Sequence, residues 1–418
     1  MPGFPRSRPA AAGVLGCAAL LLIGWTGLLV PSLIRSVKEA FDQSDAGIGI
    51  FYFLYAVAYA AGSFGGGPAT ERLGRRTVLG AAVGIHAIGL VALGLAPSWE
   101  VFLVAALPGG LGAGAVDGGV NGLFLDRFRT GRGRALNLLH LFFSLGALSA
   151  PLAVGVLVDG GVGWQEIIVV TGLIAIPVAL FFGIVPMPSG RRRAGTAAAM
   201  STEPTDGFAA TELVSTDASQ PISRAAAARG RLAAPLILLG VAIGCYVASE
   251  VGVSNWLVRF LEPAPLSTAT TALSLYWAGL AAGRLVSSQL ADRFDHLHFA
   301  TVCAAGIAIA LVGAIFVPSL PASIALFALT GFFSGPVFPM IVAIGGERYP
   351  DRSAAVGGFV TGSAVIGSII YPPVMGFLSV SVGLTVAMFG NVILGLACAA
   401  ALVLVGRTAR AAARRAIA

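Results

Sequence analysis

Charge is scarce in this sequence. Only 11% of its 418 residues are Asp, Glu, Lys or Arg, against 57% hydrophobic residues, a balance outside the range of soluble globular domains. That scarcity excludes a soluble enzyme and predicts an integral membrane protein. Cysteine is scarce as well. The four present (Cys17, Cys245, Cys303 and Cys398) all fall in apolar segments without metal-ligand spacing, so they read as small buried hydrophobes and no metal site is expected. No phosphate loop, metal cluster or nucleophile and base constellation is legible, so membrane catalysis and a cofactor are not expected either.

Long apolar runs are present in their place. Twelve are long enough to cross about 30 Å of hydrocarbon as tilted helices: 12–34, 47–69, 77–96, 99–125, 135–158, 165–186, 235–261, 269–290, 299–317, 321–345, 353–379 and 384–406. The first resembles a signal peptide, with "VLGC" ending at Cys17, but its apolar stretch follows that cysteine instead of preceding it, so it is expected to be retained. With both termini in the cytoplasm, 22 of the 26 Lys and Arg fall inside, Arg35, Lys38 and Arg259 outside, and Arg284 within the membrane, as the positive-inside rule requires. The net charge of +7 is thus an orientation signal for a multi-pass protein of the cell membrane, and no nucleic acid partner is expected.

Residues 187–234 form the one long interruption, with "RRR" at 191–193 followed by a Ser/Thr/Pro/Ala-rich stretch that has too few large apolar groups to fold. They read as a disordered cytoplasmic linker between an N-terminal half, 1–186, and a C-terminal half, 235–418, with a basic tail. The halves match at an offset of 221. "GSFGGGPATERLGR" from Gly62 aligns with "GRLVSSQLADRFDH" from Gly283. The same offset carries Asp126-Arg127-Phe128 onto Glu347-Arg348-Tyr349, and Gly146, Pro151 and Gly155 onto Gly367, Pro372 and Gly376.

Two repeated six-helix halves resemble the major facilitator superfamily, in which substrate binds near the midplane between the halves. "GGGPATERLGRR", residues 65–76, is similar to that superfamily's G-x-x-x-D-R-x-G-R-R loop, with Glu71 for the acid. The resemblance makes Gly67, Glu71, Arg72, Gly74, Arg75 and Arg76, with Asp292 and Arg293 in the second copy, gating candidates. It implies an all-α membrane fold of twelve transmembrane helices in two pseudo-symmetric halves, working as a monomer.

An ionisable group inside the membrane is a functional hypothesis by default, because charge in hydrocarbon costs a few kcal/mol. Asp117 stands nine residues before Asp126, about 13 Å deep. Asn121 shares its helix face one turn on, and Gly114, Gly118 and Gly119 clear space around it. In the seventh segment Tyr246, Glu250 and Ser254 share a face, with Asn255 and Trp256 on adjoining faces, a set that suits hydroxyls and C–H surfaces of a sugar. Arg284, about 12 Å deep, is expected to neutralise Glu250 or Asp117, or else to bind an anionic substrate. His140 is a candidate wall residue, and His86 a structural one. Asn391, Trp277 and Ser144 are weaker pocket candidates, while Trp25, Tyr52 and Tyr55 suit packing as well as binding.

"AVDGGVN", "LNLLHLFFSLGALSAPLAVG" and "YVASEVGVSNWL" together resemble the fucose:proton symporter family and its glucose and galactose transporter relatives. That resemblance implies ion coupling at Asp117 and Glu250, and substrate contacts at Asn121, His140, Tyr246, Glu250, Asn255 and Trp256. One departure matters. In "TGLLVP", Gly27 stands where fucose symporters carry a second acid, and Phe143 replaces a polar wall position. The expectation is a secondary active transporter carrying a neutral sugar or polyol inward with protons, or with sodium, by alternating access. The alternatives are a proton-coupled exporter of drugs or metabolites and a non-transporting sensor on the same fold.

Overall fold

The structure, a computed structural model, describes residues 8–127, 132–187, 222–290, 293–349 and 352–417. Among the described residues it is helical throughout, without strands. The helices are α1 (Arg8–Gly27), α2 (Leu29–Ser32), α3 (Ile34–Ala40), α4 (Asp45–Leu73), α5 (Arg75–Gly94), α6 (Trp99–Arg127), α7 (Arg132–Asp159) and α8 (Trp164–Ile184). They continue as α9 (Ile222–Phe260), α10 (Leu266–Leu290), α11 (His296–Phe316), α12 (Leu320–Ser334), α13 (Val337–Arg348), α14 (Ser353–Val382) and α15 (Leu384–Ile417). In hydrocarbon, backbone polar groups must be satisfied within the segment, and an apolar helix does that.

Local chemistry sets the ends. At the start of α4 the Ser44 side chain accepts from the Gly47 backbone N–H at 3.3 Å, satisfying a donor the helix leaves open. Its far end turns on Gly74 at φ +84°, a backbone conformation that favours glycine. The first span breaks into α1 and α2 around Leu28, and Pro31 within α2 lacks the N–H that would continue the ladder.

Among the described residues eleven spans are long and apolar enough to cross a membrane, with α1 and α2 forming one and α12 and α13 another. The twelfth expected span is α10. Its 25 residues reach about 37 Å, but a series of Ser and Thr side chains and Arg284 make it more polar than the rest. The exposed surface carries large apolar side chains, including Ile88 at 66%, Val104 at 65% and Ile309 at 73% exposure, the pattern of a protein whose solvent is lipid.

The chain forms two compact units, Met1–Phe208 with Leu261–Ser274, and Ala209–Phe260 with Leu275–Ala418. In the first, α4 packs on α6, α5 on α6 and α8, and α1 on α7. Arg35 grips Leu261–Ser274, donating to the carbonyls of Leu261 at 2.6 Å and Ala264 at 2.8 Å, and Ser274 donates to Leu148 O at 2.9 Å. In the second, α9 packs on α14 and α15, and α11 on α12 and α15. α9 starts at Ile222, within the stretch 187–234, and residues 188–221 lie outside the described ones.

The sequence repeat is also a repeat of contacts. A methyl at Gly114 would stand 1.9 Å from Tyr59 O, and one at Gly335 would stand 2.4 Å from Leu280 O, so both glycines are required by close helix approach. Gly62 meets Leu111 O as Gly283 meets Phe332 O, and Gly110 meets Tyr55 O as Gly331 meets Tyr276 O. Every residue in these pairs is displaced by the same 221 positions.

Candidate functional site

In the first unit the glycine seam between α4 and α6 positions a polar cluster. Tyr59 of α4 donates its hydroxyl to Asp117 Oδ2 at 2.9 Å. The Asn121 side-chain N–H group donates to Asp117 Oδ1 at 3.0 Å and to the Asp117 backbone carbonyl at 2.9 Å. The second bond needs an N–H donor, which fixes the orientation of the amide. Asp117, Asn121 and Tyr59 are all half-buried. Sequence reasoning paired Asp117 with Asn121 but missed Tyr59; its signal was a tyrosine one turn after Tyr55, opposite the glycines of α6.

This cluster is not repeated. At the same offset of 221 the second unit carries Leu280 for Tyr59 and Phe338 for Asp117. Its carboxylate lies instead on α9, where Tyr246 donates to Glu250 Oε2 and Tyr276 of α10 donates to the Glu250 backbone carbonyl at 3.3 Å. Arg284 is within electrostatic range of Glu250 and Tyr246, but among the described residues it makes no direct ion pair with Glu250.

Other candidates are drawn into the packing. Trp256 is fully buried and donates its indole N–H to Pro372 O at 2.9 Å, so its ring offers no face for a sugar in this structure. Trp277 donates to Ser254 Oγ at 3.0 Å, with both side chains buried. His86 is buried with one ring nitrogen on Gly109 O at 2.8 Å and the other on Thr26 Oγ1 at 3.0 Å. Because a carbonyl only accepts, His86 donates there and receives the threonine hydroxyl at its second nitrogen, a structural arrangement. Asn391 is fully buried, donating to Met388 O at 3.1 Å, and its Oδ1 has no partner among the described residues.

His140 of α7 and Asn255 of α9 are half-buried, and Ser144 donates to the His140 carbonyl at 3.0 Å. At the turn from α4 to α5, Gly67, Arg72, Gly74 and Arg76 are exposed while Arg75 is buried. The side chain of Glu71 and the whole of Asp292 lie outside the described residues, and Arg293 is exposed.

Comparison with known proteins follows the same lines. The family model of the Major Facilitator Superfamily matches residues 14–262 and 233–417. The MFS-type transporter YfkL of Bacillus subtilis (strain 168) is 22% identical over 90% of this chain and 92% of its own length. The cis,cis-muconate transport protein of Acinetobacter baylyi is 26% identical over 89% of this chain and 88% of its own. Among solved structures, an inward-facing bacterial homologue of the human lysosomal transporter Spinster aligns with a TM-score of 0.77 at 16% identity, covering 97% of this chain and 98% of that one. The nucleoside transporter NupG aligns with a TM-score of 0.71 at 14% identity, covering 95% and 99%.

Proposed function

This chain belongs to the Major Facilitator Superfamily, and from that premise we propose that it is a proton-coupled secondary transporter of a small hydroxylated solute, with Asp117 as the coupling carboxylate. The observation that carries the reading is the asymmetric donor set around that carboxylate. Oδ1 faces the NH2 group of the Asn121 amide, which only donates, whereas Oδ2 faces the Tyr59 hydroxyl, which donates or accepts. Oδ2 is therefore the oxygen that takes and releases a proton. When it is charged, Tyr59 donates to it; when it is protonated, the hydroxyl rotates and accepts. Asn121 stays bonded in both states.

Proton exchange at Asp117 changes the cost of a charge held in hydrocarbon by a few kcal/mol, enough to bias a two-state transporter. Asn121 and His140 in the first unit, and Tyr246, Glu250 and Asn255 in the second, are the proposed substrate-contacting groups, with Glu250 as a second ion-coupling group. The turn carrying Gly74 is the proposed gating element. In this reading the protein lies in the cell membrane with both termini in the cytoplasm, its two halves, 1–186 and 235–418, joined by 187–234.

Two observations favour a second reading. Arg284 is an intramembrane cation without a direct carboxylate partner among the described residues, and the muconate transport protein is a relative over most of both chains. An organic anion is the alternative cargo. Uptake into proteoliposomes under an inward proton gradient, with labelled neutral polyols and labelled dicarboxylates, separates the two. Accumulation of a polyol that is lost in Asp117→Asn, with exchange retained, supports the first reading. Accumulation of a dicarboxylate alone, lost in Arg284→Gln, replaces it with the second.

A further inference from the structure

The first unit holds a cleft of about 820 Å³ lined by α1, α7 and α8, with Phe124 and Arg127 of α6 at one end. None of its lining residues belongs to the Asp117 cluster or is a proposed substrate contact. Its lining from α1 runs from Gly13 to Trp25, about 18 Å along the helix. Val14, Leu138 and Ile174 on its rim are 69%, 51% and 59% exposed, so the cleft opens sideways, on the apolar surface that faces lipid.

The chemistry along this length is uneven. Nearly all of the lining is apolar, which excludes a water-soluble solute. Trp25 and Thr171 at one end bond to each other at 3.3 Å. At the other end stands Arg127, three residues beyond Phe124, where the span closes, about 4.5 Å further along the helix and so at headgroup level. A guanidinium has five N–H donors in a planar fork that matches phosphate.

We propose that this cleft is a binding site for an anionic phospholipid, its acyl chains lying along α1 between α7 and α8 and its phosphate on Arg127. Basic side chains at the membrane edge of clefts between helices recognise anionic headgroups in this way. The site does not depend on what the protein carries.

The test uses the full chain in phosphatidylcholine liposomes, titrated with either phosphatidylglycerol or phosphatidylcholine brominated near the chain end. Comparing Trp25→Phe with the natural sequence isolates the fluorescence of Trp25. The expected result is that Trp25 is half-quenched at about fivefold lower mole fraction of phosphatidylglycerol, the scale of one arginine acting on an anionic lipid, and that Arg127→Gln abolishes the difference. Equal quenching by both lipids would mean ordinary annular contact and overturn the proposal, as would a preference that survives Arg127→Gln. Should that variant fail to incorporate, Ala18→Phe carries the same test. Ala18 is exposed and lines the cleft, so a phenyl ring there fills it. Loss of the preference with unchanged thermal unfolding supports the site, and its persistence overturns it.

Discussion

Tyr59 of α4 and Asp117 of α6 meet at 2.9 Å across the seam where Gly114 lets the two backbones touch. The hydrogen bond and the glycine are one construction, because the bond needs the helices closer than any side chain at position 114 would allow.

Removing the hydroxyl tests its part in coupling. Tyr59→Phe deletes a bond to a charged acceptor worth about 1.5–3 kcal/mol, so proton-driven uptake in proteoliposomes should fall by about tenfold or more. Exchange without a gradient should be much less affected. Equal loss of both would assign Tyr59 to folding and not to coupling.

The seam itself has a steric prediction. Gly114→Ala places a methyl 1.9 Å from Tyr59 O, whereas at Gly67 nothing lies within 4 Å. Gly114→Ala should cost about 1–3 kcal/mol, seen as a lowered unfolding temperature in detergent, and Gly67→Ala should stay within about 0.5 kcal/mol.

Trp256 separates packing from binding. Trp256→Phe leaves Pro372 O, its acceptor at 2.9 Å, without the indole donor inside the second unit, at a cost of about 1–3 kcal/mol. Thermal stability should drop while the apparent KM for the transported solute holds. A raised KM with unchanged stability would restore Trp256 to the substrate contacts.

Arg35 donates to the carbonyls of Leu261 and Ala264. In Arg35→Gln the fork is lost, and hydrogen exchange of the backbone through 261–266 should accelerate in mass spectrometry. The exchange of α6 around Asp117 should not change.

Much of the candidate site was legible because it is local. Asp117 and Asn121 are one turn apart, as are Tyr246 and Glu250, and helical geometry alone brings each pair together. Tyr59 was not legible in that way, since nothing in its own segment marks which of its neighbours faces α6. Trp256 reads as a ligand from the sequence because aromatic rings serve binding and packing equally, and its burial against Pro372 is visible only in the fold. The weakly apolar α10 shows the same limit. Ser274 and Ser287 are each satisfied by a backbone carbonyl, which a hydropathy count does not register.

By itself the sequence determined that this is a helical membrane protein with an internal repeat at 221 residues. Hydrocarbon allows little else for long apolar segments, and a constant offset survives however the segments are packed. Tertiary structure alone decided which polar groups meet across different helices. Tyr59 and Asp117 are 58 residues apart, Trp256 and Pro372 are 116, and Arg35 and Leu261 are 226. Such pairs depend on which helix faces touch, and glycine-mediated backbone contact sets that for Tyr59 and Asp117.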